Sequence, residues 1–87
     1  MHDFHLASQI AKIAREQAQK NGLSKINKIV LELGDIVEHG ENITPENLKY
    51  NINLFLPCEV KIKKTRGNIW RLINIEGKWN YKNFLKF

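Results

Sequence analysis

The sequence predicts an α+β protein in which two helices pack on one face of a small mixed β-sheet. Three observations support this fold class: an amphipathic stretch near the amino-terminus, a second stretch with a strong helix-start signal, and alternating β-branched segments around them. A chain of 87 residues has enough apolar surface for one core but not for two. Residues 1–87 are therefore expected to form a single domain.

The first helix is predicted for residues 6–20. Leu6, Ile10 and Ile13 recur at helical spacing. Four alanines broaden the same apolar stripe: Ala7, Ala11, Ala14 and Ala18. Gly22 is expected to adopt the left-handed conformation that ends many helices.

The first strand is predicted for residues 25–33, followed by a polar loop over residues 35–43. Ile29, Leu31 and Leu33 alternate with Lys28 and Glu32, which is the pattern of a strand with one buried face and one exposed face.

The second helix is predicted to begin at Thr44-Pro45-Glu46, which combines an N-cap, a first-turn proline and an acidic residue near the positive end of the helix dipole. Leu48, Ile52, Phe55 and Leu56 follow at helical spacing. Positions 50–56 also alternate as in a strand, but the cap favours a helix that ends before Pro57.

The remaining residues predict three strands, at 58–64, 69–75 and 79–87, with turns at 66–68 and 76–78. Because a helix connects the first two strands of the chain, these two strands can pair in parallel.

The net charge of +5 lies in the last third of the sequence. Residues 1–56 contain 6 Lys and Arg against 7 Asp and Glu, whereas residues 57–87 contain 8 against 2. A basic face of this kind attracts phosphate backbones or an acidic protein. A solvated sheet face kept soluble by lysines explains the same pattern and is the favoured interpretation.

Four segments, in their order and spacing, resemble the HypA/HybF family of nickel-insertion chaperones. Members of that family open with Met-His-Glu, continue into a Leu-Ala helix, end a strand with Leu-Glu-apolar-Gly and start a helix with Pro-Glu-x-Leu. The corresponding segments here are Met1-His2-Asp3-Phe4-His5-Leu6-Ala7, the Asn-Gly helix end at 21–22, INKIVLELG at 26–34 and Pro45-Glu46-Asn47-Leu48.

The sequence departs from the family at its zinc module. Family members hold a structural zinc with two CxxC pairs, whereas residues 67–72 here contain no cysteine and a β-hairpin over about 66–87 is expected in its place. Cys58, the single cysteine, cannot supply four zinc ligands and is expected to be a small buried residue. No structural zinc is therefore predicted.

A nickel site is predicted at Met1, His2 and Asp3. The terminal amine of Met1, the amide nitrogen of His2 and its imidazole Nδ1 can chelate one ion, and the Asp3 amide or a nearby donor can complete a planar site that suits Ni(II). His5 and His39 are second-rank ligands. The competing interpretations are a frayed terminal His2 and an Asp3 side chain that caps the first helix.

The resemblance implies delivery of nickel to [NiFe]-hydrogenase or urease maturation proteins, alongside a nickel GTPase. Because the first residues do not form a signal-peptide pattern, the protein is expected to be cytoplasmic. No motif indicates catalysis, and no segment is long and apolar enough to span a membrane. Exposed edge strands could pair between two copies of the chain, so a homodimer is possible.

The alternative function is a binding module without metal, in which the basic hairpin docks nucleic acid or an acidic protein. Its candidate residues are Arg66, Trp70, Arg71, Lys78 and Lys82. Aromatic residues that pack within the sheet explain the same pattern and are favoured over a nucleic-acid surface.

Overall fold

The computed structural model describes residues 2–38 and 41–79, and describes His2, Asp3, Glu38, Glu41 and Trp79 by their backbone alone. In chain order the elements are α1 (His2–Lys20), β1 (Leu23–Leu33), β2 (Val37–Glu38), β3 (Glu41–Asn42), α2 (Pro45–Phe55), β4 (Glu59–Lys64) and β5 (Trp70–Trp79).

The main sheet has the strand order β4-β1-β5. The central strand β1 pairs in parallel with β4, as its connection through a helix predicted, and pairs antiparallel with β5. Both helices contribute to one core with the inward side chains of the sheet. The predicted α+β fold class is confirmed.

The helix α1 begins at His2, four residues before the predicted start. Its alanine stripe is fully buried at Ala7, Ala11 and Ala14, where small side chains allow the helix to approach the sheet closely. Gly22 has a φ of 77°, so the predicted left-handed helix end is confirmed.

The structure confirms the prediction that the segment after Thr44 is a helix, α2, rather than a strand. Thr44 is the N-cap, and its Oγ1 accepts a hydrogen bond of 3.3 Å from the Asn47 amide. Leu48 and Ile52 are completely buried, and Leu56 is extended before Pro57. The helix-start signal at Thr44 was therefore a better guide than the strand-like alternation of apolar residues at positions 50–56.

The predicted polar loop at 35–43 was wrong in part, because it contains the short antiparallel pair β2–β3. The Ile43 amide donates to the Ile36 carbonyl at the base of this pair. Ile43 is buried and Ile36 packs against the core, so two apolar anchors close a segment whose other residues are mostly polar.

The predicted turn at 76–78 was also wrong, because β5 continues from Trp70 to Trp79 without interruption. Gly77 pairs with Ile26, and a Cβ atom at Gly77 would lie 1.9 Å from the Lys25 carbonyl oxygen. This glycine permits a close approach between strands rather than a chain reversal. The predicted strand at 79–87 falls almost entirely outside the described residues.

The connection from β4 to β5 passes over the end of β1. The Gly34 amide donates to the Ile69 carbonyl and the Asp35 amide to the Gly67 carbonyl, each at 2.8 Å. The Thr65 amide donates to the Leu33 carbonyl at 3.0 Å. Gly67 has a φ of 91°, which confirms the predicted turn at 66–68.

Candidate metal site at the amino-terminus

The predicted metal site lies at the first turn of α1. Because this helix begins at His2, the backbone amides of His2 and Asp3 are among the first four N–H groups, which have no acceptor within the helix. Their nitrogen atoms are not engaged in the hydrogen bonds of the helix. Met1 lies outside the described residues, as do the side chains of His2 and Asp3.

The turn at Asn21-Gly22 determines which end of the molecule carries this site. A connection this short between α1 and β1 reverses the chain, so α1 runs antiparallel to β1. The amino-terminal end of α1 therefore lies toward the end of β1, where the segment that contains β2 and β3 begins. His39 belongs to that segment but falls outside the described residues.

His5 lies in α1, three residues after His2, and residues at this spacing share one face of a helix. Its side chain is exposed, and its ring meets the edge of Phe4 at a centroid distance of 6.4 Å. Phe4 in turn contacts Phe55 of α2, with ring centroids 4.9 Å apart. These aromatic contacts connect the start of α1 to the end of α2.

Among the side chains that the structure describes, those of residues 4–37 and 42–78, no group of three His, Cys, Asp or Glu is arranged to hold a metal ion. The predicted ligands from Met1, His2, Asp3 and His39 depend on atoms outside the described part of the chain. The nickel site remains a prediction that rests on the order of residues at the amino-terminus.

The described candidates for contact with nucleic acid or an acidic partner lie on β5 and in the loop before it. Trp70 is half-buried and packs against the core, whereas Arg71 lies on the opposite face of β5. Arg66 is exposed in the loop before β5, and Lys78 is exposed near its end. Lys82 lies outside the described residues. Trp70 and Arg71 therefore lie on opposite faces of β5, and a surface for nucleic acid or an acidic partner stays a prediction.

Arg71 also forms an ion pair with Glu32, which was not among the predicted contacts. Its Nη2 lies 2.6 Å from the Glu32 carboxylate, and its Nε donates to the same oxygen at 3.0 Å. Lys28 and Glu59 form a second pair across the neighbouring strands, at 3.9 Å. Opposite charges at alternating strand positions were the signal that could have predicted these pairs.

Cys58 precedes β4 and is half-buried. Burial raises the pKa of the Cys58 thiol, because the thiolate would lose solvation. Burial therefore favours the neutral thiol over the thiolate, which is the form that binds metals.

No helix in the described ranges, 2–38 and 41–79, has the length and apolar character needed to cross a membrane.

Comparisons with known proteins find a similar solved structure but no similar sequence. No family model matches the chain, and no curated protein matches it. By architecture the chain has a counterpart among solved metallochaperones. That counterpart is the solution structure of the Ni metallochaperone HypA from Helicobacter pylori, with a TM-score of 0.64 and 16% sequence identity. The match covers 88% of this chain and 97% of that chain, and it establishes a HypA-like fold.

Proposed function

We propose that this protein is a nickel metallochaperone, which binds Ni(II) at its amino-terminus and delivers the ion to an enzyme under maturation. The observation that carries the proposal is the likeness of its fold to the Ni metallochaperone HypA over 88% of the chain. The role is delivery and requires no catalytic step.

The proposed ligands are nitrogen atoms of the first residues. The free amine of Met1 and the amide nitrogen and imidazole Nδ1 of His2 supply three donors, and the amide nitrogen of Asp3 or another nearby donor completes a planar set. Ni(II) accepts this geometry, whereas Zn(II) prefers a tetrahedral site. The helical start at His2 supports the proposal because it leaves the two amides without helix acceptors.

The position of the site suits transfer. Residues at a chain terminus are accessible and can exchange ligands with a second protein. The proposed recipients are the maturation proteins of [NiFe]-hydrogenase or urease, including a nickel GTPase. Roles that depend on a structural zinc module are not part of the proposal, because the single Cys58 cannot supply such a module.

Calorimetric titration of Ni(II) into untagged protein tests the site. Wild-type protein is expected to bind with a Kd of roughly 1 μM or tighter, and His2→Ala to weaken binding at least about 10-fold. Affinity should fall as the pH decreases through the imidazole range, because protons compete with nickel for the nitrogen donors.

His5→Ala is the matched control, since it removes an exposed histidine from the first turns of the same helix. It should leave the affinity unchanged if the first three residues suffice. A tag fused before Met1 should abolish binding, because it removes the free amine. Equal binding by wild type and His2→Ala, or no binding by either, would contradict the proposal.

A further inference from the structure

The outer edge of β4 is the feature that the proposed function leaves unused. Within the described residues, no strand pairs with this edge, although β4 is well formed from Glu59 to Lys64. An open strand edge offers unpaired N–H and C=O groups to another strand. The side chains of β4 indicate what that other strand is.

The backbone groups at this edge belong to alternate residues. The Thr65 amide donates toward β1, to the Leu33 carbonyl. Because alternate residues of a strand direct their backbone groups to the same side, those of Glu59, Lys61 and Lys63 also face β1. Val60 and Ile62 therefore direct their N–H and C=O groups outward.

The two faces of β4 differ in character. Val60 and Ile62 lie on the helix face, where Val60 is buried and Ile62 is half-buried. Glu59, Lys61 and Lys63 are exposed on the open face of the sheet.

The open face carries its charges in rows that follow the register across β4, β1 and β5. The first row is Glu59, Lys28 and Glu76, and the third row is Lys63, Glu32 and Arg71. The row between them is Lys61, Val30 and Asn74. Each charged row alternates in sign, and the two rows end at β4 with opposite charges.

We propose that β4 pairs antiparallel with β4 of a second copy of this chain, about a two-fold axis at Lys61. In this register Glu59 faces Lys63 of the second copy and Val60 faces Ile62, and both pairs occur twice by symmetry. Val60 and Ile62 exchange backbone hydrogen bonds, because both direct these groups outward. The two sheets become one continuous sheet.

The charges and the length of β4 together select this register. The first row of one copy joins the third row of the other, so the signs alternate without a break from Glu76 of one copy to Arg71 of the second. An axis at Ile62 would place Lys61 opposite Lys63 twice, where like charges repel. An axis at Val60 would pair only residues 59–61 of each β4, because the strand begins at Glu59.

The helix face also fits a second copy. A depression of about 230 Å³ lies beside the β4 edge, lined by Pro45, Glu46, Lys49, Val60 and Ile62. In the proposed pairing, Ile62 of the second copy stands opposite Val60 beside this depression. The half-buried Ile62 side chains then lose further contact with water, which favours association.

Lys61 provides the first test, because it meets its own counterpart at the axis and has uncharged Val30 beside it on β1. Sedimentation at concentrations up to about 1 mM should detect a dimer of the full chain. Lys61→Thr should tighten the dimer about 2- to 5-fold by removing the repulsion. Wild type mixed with Lys61→Glu should form a heterodimer that is tighter than either homodimer.

Lys12→Glu is the control for these variants. It makes the same change of charge at an exposed position of α1, away from β4, and should not favour heterodimers. A monomer at every concentration, including one in which residues 80–87 or another partner covers the edge, overturns the proposal. A dimer that is indifferent to Lys61 also overturns it.

Disulfide formation tests the register. In a Cys58→Ala background, Lys61→Cys places two thiols opposite each other in a pair without mutual hydrogen bonds, where Cα atoms lie about 4.5 Å apart. This distance is within the range of a disulfide. Oxidised glutathione should cross-link Lys61→Cys and not Lys63→Cys, which faces Glu59 of the second copy. Equal cross-linking of both variants would contradict the proposed axis.

Discussion

Gly34, at the end of β1, allows the loop between β4 and β5 to pack closely against the strand. A Cβ atom at this position would lie 2.0 Å from the Gly67 carbonyl oxygen and 2.9 Å from the Ile69 carbonyl oxygen. Both contacts are with backbone, which cannot move aside as a flexible side chain can. The sequence marked Gly34 only as the end of a strand, because the partner that crowds it lies more than thirty residues later in the chain.

The substitution Gly34→Ala is therefore expected to destabilise the protein by about 2–4 kcal/mol, since the loop must separate from β1 and lose hydrogen bonds. Urea unfolding followed by circular dichroism measures this cost. Gly67→Ala is the matched comparison, because Gly67 has a φ of 91° but no atom near its Cβ position. It should cost only about 1 kcal/mol from the backbone conformation. Equal costs would contradict the steric account of Gly34.

At the scale of elements, the local signals in the sequence predicted both helices, the start of α2 and the end of α1, whereas α1 begins four residues before its predicted start. Thr44 and Pro45 mark the start of α2, and Gly22 marks the end of α1, because each acts through its own backbone and its immediate neighbours. The pairing of strands depends on distant residues. The uninterrupted course of β5 through Gly77 could not be predicted locally, since a glycine next to Glu76 and Lys78 is equally typical of a turn.

The cap of α2 can be tested directly. Thr44→Ala removes the oxygen that accepts from the Asn47 amide and should lower the free energy of unfolding by about 1 kcal/mol. Thr44→Ser keeps that oxygen and should remain within about 0.5 kcal/mol of wild type. Chemical unfolding of the three proteins gives the comparison, and a cost for Thr44→Ser that equals the cost for Thr44→Ala would exclude a capping role.

At the scale of the whole molecule, the fold class was predictable from the sequence, whereas the proposed metal site rests on a sequence motif alone. The periodicity of apolar residues determines which faces are buried, and this pattern fixed the arrangement of helices and sheet. The proposed nickel donors are backbone and terminal nitrogens, which every chain possesses. Only a histidine at position 2 marks this terminus as a candidate metal site. The packing of the core therefore does not help to predict which nitrogens bind the metal.

This origin of the ligands leads to an expectation about stability. If the donors come from residues 1–3 alone, the unfolded chain keeps the same chelate, and nickel should change Tm by less than about 1 °C. A site that also needs His5 or His39 exists only in the folded chain. Nickel at 100 times Kd would then raise Tm by roughly 10–20 °C. Differential scanning calorimetry with and without Ni(II) separates the two ligand sets, and His2→Ala should show no nickel effect in either case.

The loop from β4 to β5 is a position at which the chain should tolerate inserted residues. Its two ends are anchored on β1, through Thr65 and Ile69, while Asn68 between them is exposed. Extra residues inserted beside Asn68 would leave both anchors in place. Their cost would be the entropy of a longer loop, which rises by only about 0.6 kcal/mol for each doubling of length. An insertion beside Asn68, even of an additional module, should therefore be tolerated without a change in the strand pairing of the sheet.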